Sequence, residues 1–545
     1  MARGMVEVEL VGDEPPGAGP QPEPVAERVP RALAAVVRSG RRAAAVVVPP
    51  AARAWRRPAT RWVALGVVAA LVAVPVADAS RERTRLAALA QIPGVLRPLH
   101  PGMTRLYTLD NDDGVQLTSG TLVGGTVVSS LVPQRTSTES DGATPVVGFD
   151  PATGKRRWST VVPAVNLGGT ITGTPLCAAA AAVAVCVAQE EVAGAYPTSL
   201  WVLDPTDGRV LRSATVGEHG GAAAAGGELV VAQQVDGPDR APASGPWAVT
   251  WRVSGEDAAT GAVRWSWTSP PVDVAAVAED QNLTHDPADY ASSIYTPQIS
   301  PAPGHDVVLN VGDDSWVLSP DGAVRTHVAR PGGWTVWEAR GAVMRQPASA
   351  GDGAAGPIEL LRADGTWQAV KGEEMWLAVD DGSAPGVVLL ASQNDDGSAA
   401  TVDAVDVRTG ATLWSVASPT TLYIANGVLF GGRLYIATQN PDATDDSRVI
   451  AYDATTGTTV WSRPSGGSGL LATDGTVLVA PAPDGSPNAV QAYALDDGRP
   501  LWQDDLRDAV SPQGVTSGTL AGVAALDVVR RLSAERPDGS ITVLQ

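Results

Sequence analysis

Residues 452–461 read YDATTGTTVW, and each position has a physical reason. The Asp453 side chain can accept hydrogen bonds from amides just downstream and close an Asx-type turn. Gly457 supplies the positive φ that lets a short loop join two twisted strands. Trp461, four residues on, falls on the return strand. Its indole buries about 200 Å² and wants a partner for its N–H. The segment therefore predicts a β-hairpin that carries one large docking side chain.

The pattern returns along the chain. It appears as GFDPATGKRRW with Asp150, Gly154 and Trp158, as EDAATGAVRW with Asp257, Gly261 and Trp265, and as VDVRTGATLW with Asp406, Gly410 and Trp414. Degenerate copies lie between them. LDPTDGRVLR keeps Asp204 and Gly208 but has Arg212 in place of Trp, and ALDDGRPLW keeps Gly498 and Trp502 without the first Asp. LSPDGAVRTHV at Gly322 and LRADGTWQAV at Gly365 read as shortened turns. The spacing of these glycines suits four-stranded propeller blades with variable loops. β-branched segments of strand length, such as GRLYIATQ and DGTVLVAPA, run between them. An all-β propeller of about eight four-stranded blades is predicted, with seven as the alternative. The C-terminal SITVLQ is expected to complete a blade begun near MTRLYTL and so seal the edge of the ring.

The motif resembles that of the PQQ-like (quinoprotein-type) β-propeller repeat family, A-x-D-x-x-T-G-x-x-x-W, over roughly residues 105–545. The resemblance implies the fold, and it opens two kinds of function. Quinoprotein dehydrogenases of the family hold PQQ and calcium in the propeller funnel beneath a bridge of two adjacent cysteines. Here Cys177 and Cys186 are nine positions apart, and no haem-binding CxxCH occurs. Outer-membrane-assembly lipoproteins with similar repeats are non-enzymatic and imply protein partners in the cell envelope. This chain lacks their lipid-attachment cysteine. The expectation is a binding or scaffold module with no catalytic residues and no cofactor, the alternative being an envelope oxidoreductase using PQQ with calcium or another small ligand.

Outside the repeats the chain changes character. From Trp62 to Ala79 it reads WVALGVVAALVAVPVADA, with no charge before Asp78. That is slightly short of the ~20 residues of a spanning helix, although Arg61 can snorkel. Nine Arg and no acid fall between Arg28 and Arg61, which places the N-terminus inside and the bulk outside. An uncleaved single-pass anchor is the reading. Ala77-Asp78-Ala79 also fits a cleavage site, so a signal peptide is the rival. The predicted organisation is 1–61 as an Arg-rich, largely disordered cytoplasmic tail, 62–79 as the transmembrane helix, 80–104 as a stalk and 105–545 as the propeller.

Composition limits the partners. Formal net charge is −20 although Arg outnumbers acids before Trp62, so the propeller is strongly acidic and nucleic acid is excluded as a partner. Arg almost wholly replaces Lys, and the Ala and Arg bias suggests a GC-rich bacterial genome. Cys177 and Cys186 suit a cross-strand disulfide in an oxidising compartment, two buried thiols being the other option. His100, His219, His285, His305 and His327 show no metal-ligand spacing, so no metal site is expected. The acidic runs DNDDG (110–114), NDDG (394–397) and Asp445-Asp446 lack the register of a calcium loop and read as hairpin turns. The long polar segment 280–300, with His285, Tyr290 and Tyr295, is a candidate cap over one mouth of the ring.

Overall fold

The computed structural model describes residues 82–545 apart from 131–142, 164–175, 190–196, 218–219, 226, 238–247, 274–296, 302–305, 312–313, 330–333, 348–355, 394–399, 419–426, 439–446, 468–469, 485, 487, 507–521, 527 and 536–539. Residues 87–545 form one compact unit. The predicted tail and transmembrane segment, 1–79, lie outside the described residues. Among those described, no helix is long and apolar enough to cross a membrane.

The unit is an all-β propeller of nine sheets among the described residues. In chain order the blades span 121–163, 176–217, 221–268, 298–329, 334–370, 373–418, 427–464 and 472–505, and the ninth joins the two ends of the propeller. In the ninth, strands Gly522–Leu526, Arg531–Glu535 and Ile541–Leu544 are completed by Arg105–Leu109, which pairs with Ile541–Leu544. Within each blade we call the strands a to d, from the innermost outward.

The count of eight is thus corrected to nine, for a physical reason. Each of the eight glycines marks a turn between strands c and d of one blade. In blade 9, strand c is Ile541–Leu544 and strand d follows the leader, residues 87–104, so no turn joins them. The glycine that precedes this last d strand is Gly102 (φ +76°), too far from any Asp-x-x-Thr to be read as a repeat.

The burial of each strand follows its place in the blade. Strand c of blade 7, Arg448–Asp453, is almost wholly buried, and so is Ala489–Ala494 in blade 8. The d strands Val263–Thr268 and Pro500–Asp505 alternate, as half-covered strands must. Apolar side chains gather between successive sheets. One such cluster joins blades 6 and 7 through Leu389, Trp414, Ile436 and Tyr452.

Two segments depart locally from the repeat. DNDDG does not make a hairpin turn. Asp110 caps the helix Asn111–Ser119, accepting from the Asp113 amide at 2.9 Å, and Asp112 and Asp113 sit in its first turn, where the helix dipole favours negative charge. The innermost strand of blade 6 also splits. Glu373–Glu374 pairs within its own blade, while Leu377–Asp380 runs parallel to Gly427–Phe430 of blade 7.

Candidate functional site

The motif residues form a ring of docking contacts. In the turn at Asp453, its amide donates to Thr458 O and the Gly457 amide donates back to Asp453 O, both at 2.9 Å. The Asp453 carboxylate accepts from Thr455 and Thr456, which holds its pKa below the ordinary range. Asp150, Asp204, Asp257 and Asp406 are lowered in the same way, by hydrogen bonds from their own turns. Each motif Trp faces a small residue of its own blade's c strand. The pairs are Gly148 with Trp158, Gly255 with Trp265, Ala404 with Trp414, Ala451 with Trp461 and Ala492 with Trp502. A Cβ on Gly148 would stand 2.2 Å from the Trp158 ring, so the indole occupies the missing side chain's space.

The indole then lies on the turn glycine of the next blade. Trp158 packs on Gly208, Trp265 on Gly322, Trp414 on Gly457 and Trp461 on Gly498. Three of them also donate to the carbonyl one residue after the turn's first position. Trp158 reaches Pro205 O at 2.9 Å, Trp414 reaches Ala454 O at 3.0 Å and Trp461 reaches Leu495 O at 3.1 Å. Trp265 instead bonds Glu228 of its own blade at 3.0 Å. Trp502, half-buried, packs into the core shared by blades 8 and 9.

Other side chains take the same place where Trp is missing. Arg212 lays its guanidinium over Gly261 and pairs with Glu256 at 2.7 Å, and Gln368 covers Gly410. Tyr107 closes the ring: its aromatic ring packs on Gly154 and its hydroxyl donates to Pro151 O at 3.1 Å, as Trp158 does one blade further on. Burial pushes its pKa up to about 12. Nothing in the sequence marked Tyr107, because its strand is cut off from any motif turn.

The a–b turns and the c–d turns open on the same face, which the leader also occupies. Leu96 N–H donates to Thr473 O, Leu99 N–H to the Asp474 carboxylate, and Gly102 and Met103 N–H to the Asp504 carboxylate. Arg530, at φ +55°, clamps the carbonyls of Val95 and Leu89. Val95 and Leu96 are fully buried. Further round this face, Arg340 of blade 5 binds Asp380 and the carbonyls of Ala384 and Val387. Asp381 and Ser383 in turn accept from the Gly431 and Gly432 amides of blade 7. Blades 5 to 7 are thereby tied to one another on this face, and blades 8 and 9 to the leader.

Among the described residues, most of the Cys and His side chains are engaged. Cys177 and Cys186 face each other directly across adjacent antiparallel strands, with Sγ atoms joined at 2.10 Å. His327 stacks on Trp316 at 4.9 Å and binds Asp314, and exposed His100 meets Pro101 O. His219, His285 and His305 lie outside the described residues, as do 394–397, Asp445, Asp446 and most of the candidate cap; its last residues form strand a of blade 4, Gln298–Pro301. Among the described residues no three His, Cys, Asp or Glu side chains gather where a metal ion could sit. The cysteines are cross-strand rather than adjacent. This pair therefore does not make the bridge of adjacent cysteines expected over PQQ.

A family model described as "Outer membrane protein assembly factor BamB" matches residues 398–544, the stretch from blade 6 to the closing strand. Over that stretch, and in its docked repeats, the chain is similar to the PQQ-like β-propeller family. No curated protein matches the sequence. Among solved structures, BamB from Moraxella catarrhalis is similar at 16% identity and a TM-score of 0.34, over 81% of this chain and 99% of that one. A europium-containing methanol dehydrogenase is similar at 12% identity and a TM-score of 0.34, over 82% and 87%. The quinohemoprotein alcohol dehydrogenase ADHIIG from Pseudomonas putida HK5 is similar at 12% identity and a TM-score of 0.29, over 85% and 81%.

Proposed function

We propose that this chain is a single-pass membrane protein that displays its propeller on the outer side of a bacterial cell membrane as a binding or scaffold module for envelope proteins. The observation that carries this reading is the use made of the motif residues. Nearly every Asp, Gly and Trp singled out by the repeats is consumed in tying blade to blade, and the turn face is laced through the leader. That is the construction of a rigid platform. The family model supports the direction, since its description names an assembly factor of outer membrane proteins. Location rests on the apolar run 62–79 with its Arg-rich flank, which is the pattern of an anchor with the N-terminus inside. The paired Cys177 and Cys186 suit an oxidising compartment.

An oxidoreductase using PQQ with calcium is the competing function, and calorimetry separates the two. The full chain is titrated with PQQ, with and without calcium. The scaffold reading predicts no heat of binding at high concentration. Stoichiometric binding at micromolar affinity or better, about −8 kcal/mol, would replace it with the oxidoreductase.

A further inference from the structure

Three arginines line one cavity where the ring closes. Arg97 comes from the leader, Arg530 from the a–b turn of blade 9, and Arg531 begins strand b of that blade (Arg531–Glu535). Leu544 and Gln545, at the end of the closing strand, form another wall. The Arg97 amide donates to Arg530 O at 2.8 Å, and Arg531 Nη1 donates to Leu544 O at 3.4 Å. Among the described residues, no Asp or Glu lines this cavity.

The three lack a counter-ion although acids are plentiful. The chain carries 59 acidic residues against 39 Lys and Arg. Arg212, Arg264, Arg340 and Arg345 each hold a carboxylate, whereas Arg97, Arg530 and Arg531 hold none among the described residues. Arg530 spends Nε and Nη2 on the carbonyls of Val95 and Leu89, which leaves Nη1. Arg531 spends only Nη1, and the exposed Arg97 guanidinium bonds nothing among the described residues. Gln545 is committed to Thr104 through both its amide and its carbonyl, and it forms no ion pair with the three. Burial, and next the charge of Arg97, pull the Arg530 and Arg531 guanidinium groups below their ordinary pKa, as happens when like charges are held together.

We infer that this cavity is an anion site and that it takes a phosphate dianion, free or as a monoester. Guanidinium N–H groups match the oxygens of carboxylates and phosphates alike. A carboxylate cancels only one of the three positive charges. A phosphate monoester carries close to two negative charges near neutral pH and three strong acceptor oxygens, enough to accept from all three arginines at once. A diester, as in a lipid headgroup, carries a single charge and is held less firmly. The position of the cavity gives the ligand its effect. Leader, strand b and closing strand meet there, so a bound phosphate ties the two ends of the propeller together.

The test titrates the full chain, in uncharged detergent, with inorganic phosphate and separately with glycerophosphoglycerol, the soluble diester of an anionic lipid headgroup. Arg97→Ala removes a side chain that bonds nothing among the described residues, so its Tm without ligand should match that of the wild type. Calorimetry should show saturable phosphate binding in the wild type. Binding should be about tenfold weaker in Arg97→Ala, the scale of one lost hydrogen bond to a charged group. Phosphate should also slow hydrogen exchange at the Thr104 and Gln545 amides, which bond across the closure, and do so less in the variant. Tighter binding of the diester, with the same dependence on Arg97, would replace the dianion with a lipid headgroup. No saturable binding of either probe, or equal affinity in wild type and Arg97→Ala, would overturn the site.

Discussion

Trp461 shows at the scale of one residue what holds the molecule together. Its indole covers Gly498, its N–H binds Leu495 O, and Tyr435 and Tyr493 flank it with ring centroids at 5.8 and 6.2 Å. Truncation to Ala should cost about 3–5 kcal/mol, the range for emptying a buried Trp site. Half-exposed Trp265 should cost less, and equilibrium denaturation reads both. Gly457→Ala should also destabilise by more than about 1 kcal/mol, because φ is +69° and the new Cβ would fall 2.7 Å from Trp414. These positions were legible in the sequence, since Asp, Gly and Trp at fixed spacing each answer a distinct demand of the hairpin.

At the scale of elements, the leader is the part the sequence described least well. The short stretch between the apolar run and the first repeat reads as a stalk, yet the compact unit begins at residue 87 and Val95 and Leu96 are buried within it. Its polar contacts are made largely by backbone amides, which any residue carries. Asp504→Ala removes the acceptor for two of them and should raise hydrogen exchange at Gly102 and Met103 while leaving Leu96, bonded to Thr473 O, protected. Equal loss of protection at all three would mean that the leader is held as one cooperative piece. The degenerate repeats do make turns, as their Asp and Gly residues imply. That Arg212 and Gln368 would dock in place of Trp was hidden, because a long polar side chain gives no signal of where its stem will lie.

Residues 87–545 form a ring closed by pairing Arg105–Leu109 with Ile541–Leu544, and Tyr107 adds a docking contact to that closure. Tyr107→Phe should cost about 1 kcal/mol by losing the bond to Pro151, and Tyr107→Ala several times that, which thermal unfolding can rank. Architecture and closing strand were readable in advance, and the ninth blade was missed because its hairpin is cut. What such a platform holds is read by photo-crosslinking from its two faces in intact cells. Val161 and Val235 lie late in strands that lead away from the c–d and a–b turns, and Val263 and Val324 start strands at the c–d turns. Their exposures are 64%, 41%, 60% and 42%. A crosslinking residue at each site of the full-length chain should give discrete adducts to an envelope protein from one face and none from the other. No adduct from either face, or the same diffuse background from all four positions, would contradict a scaffold role.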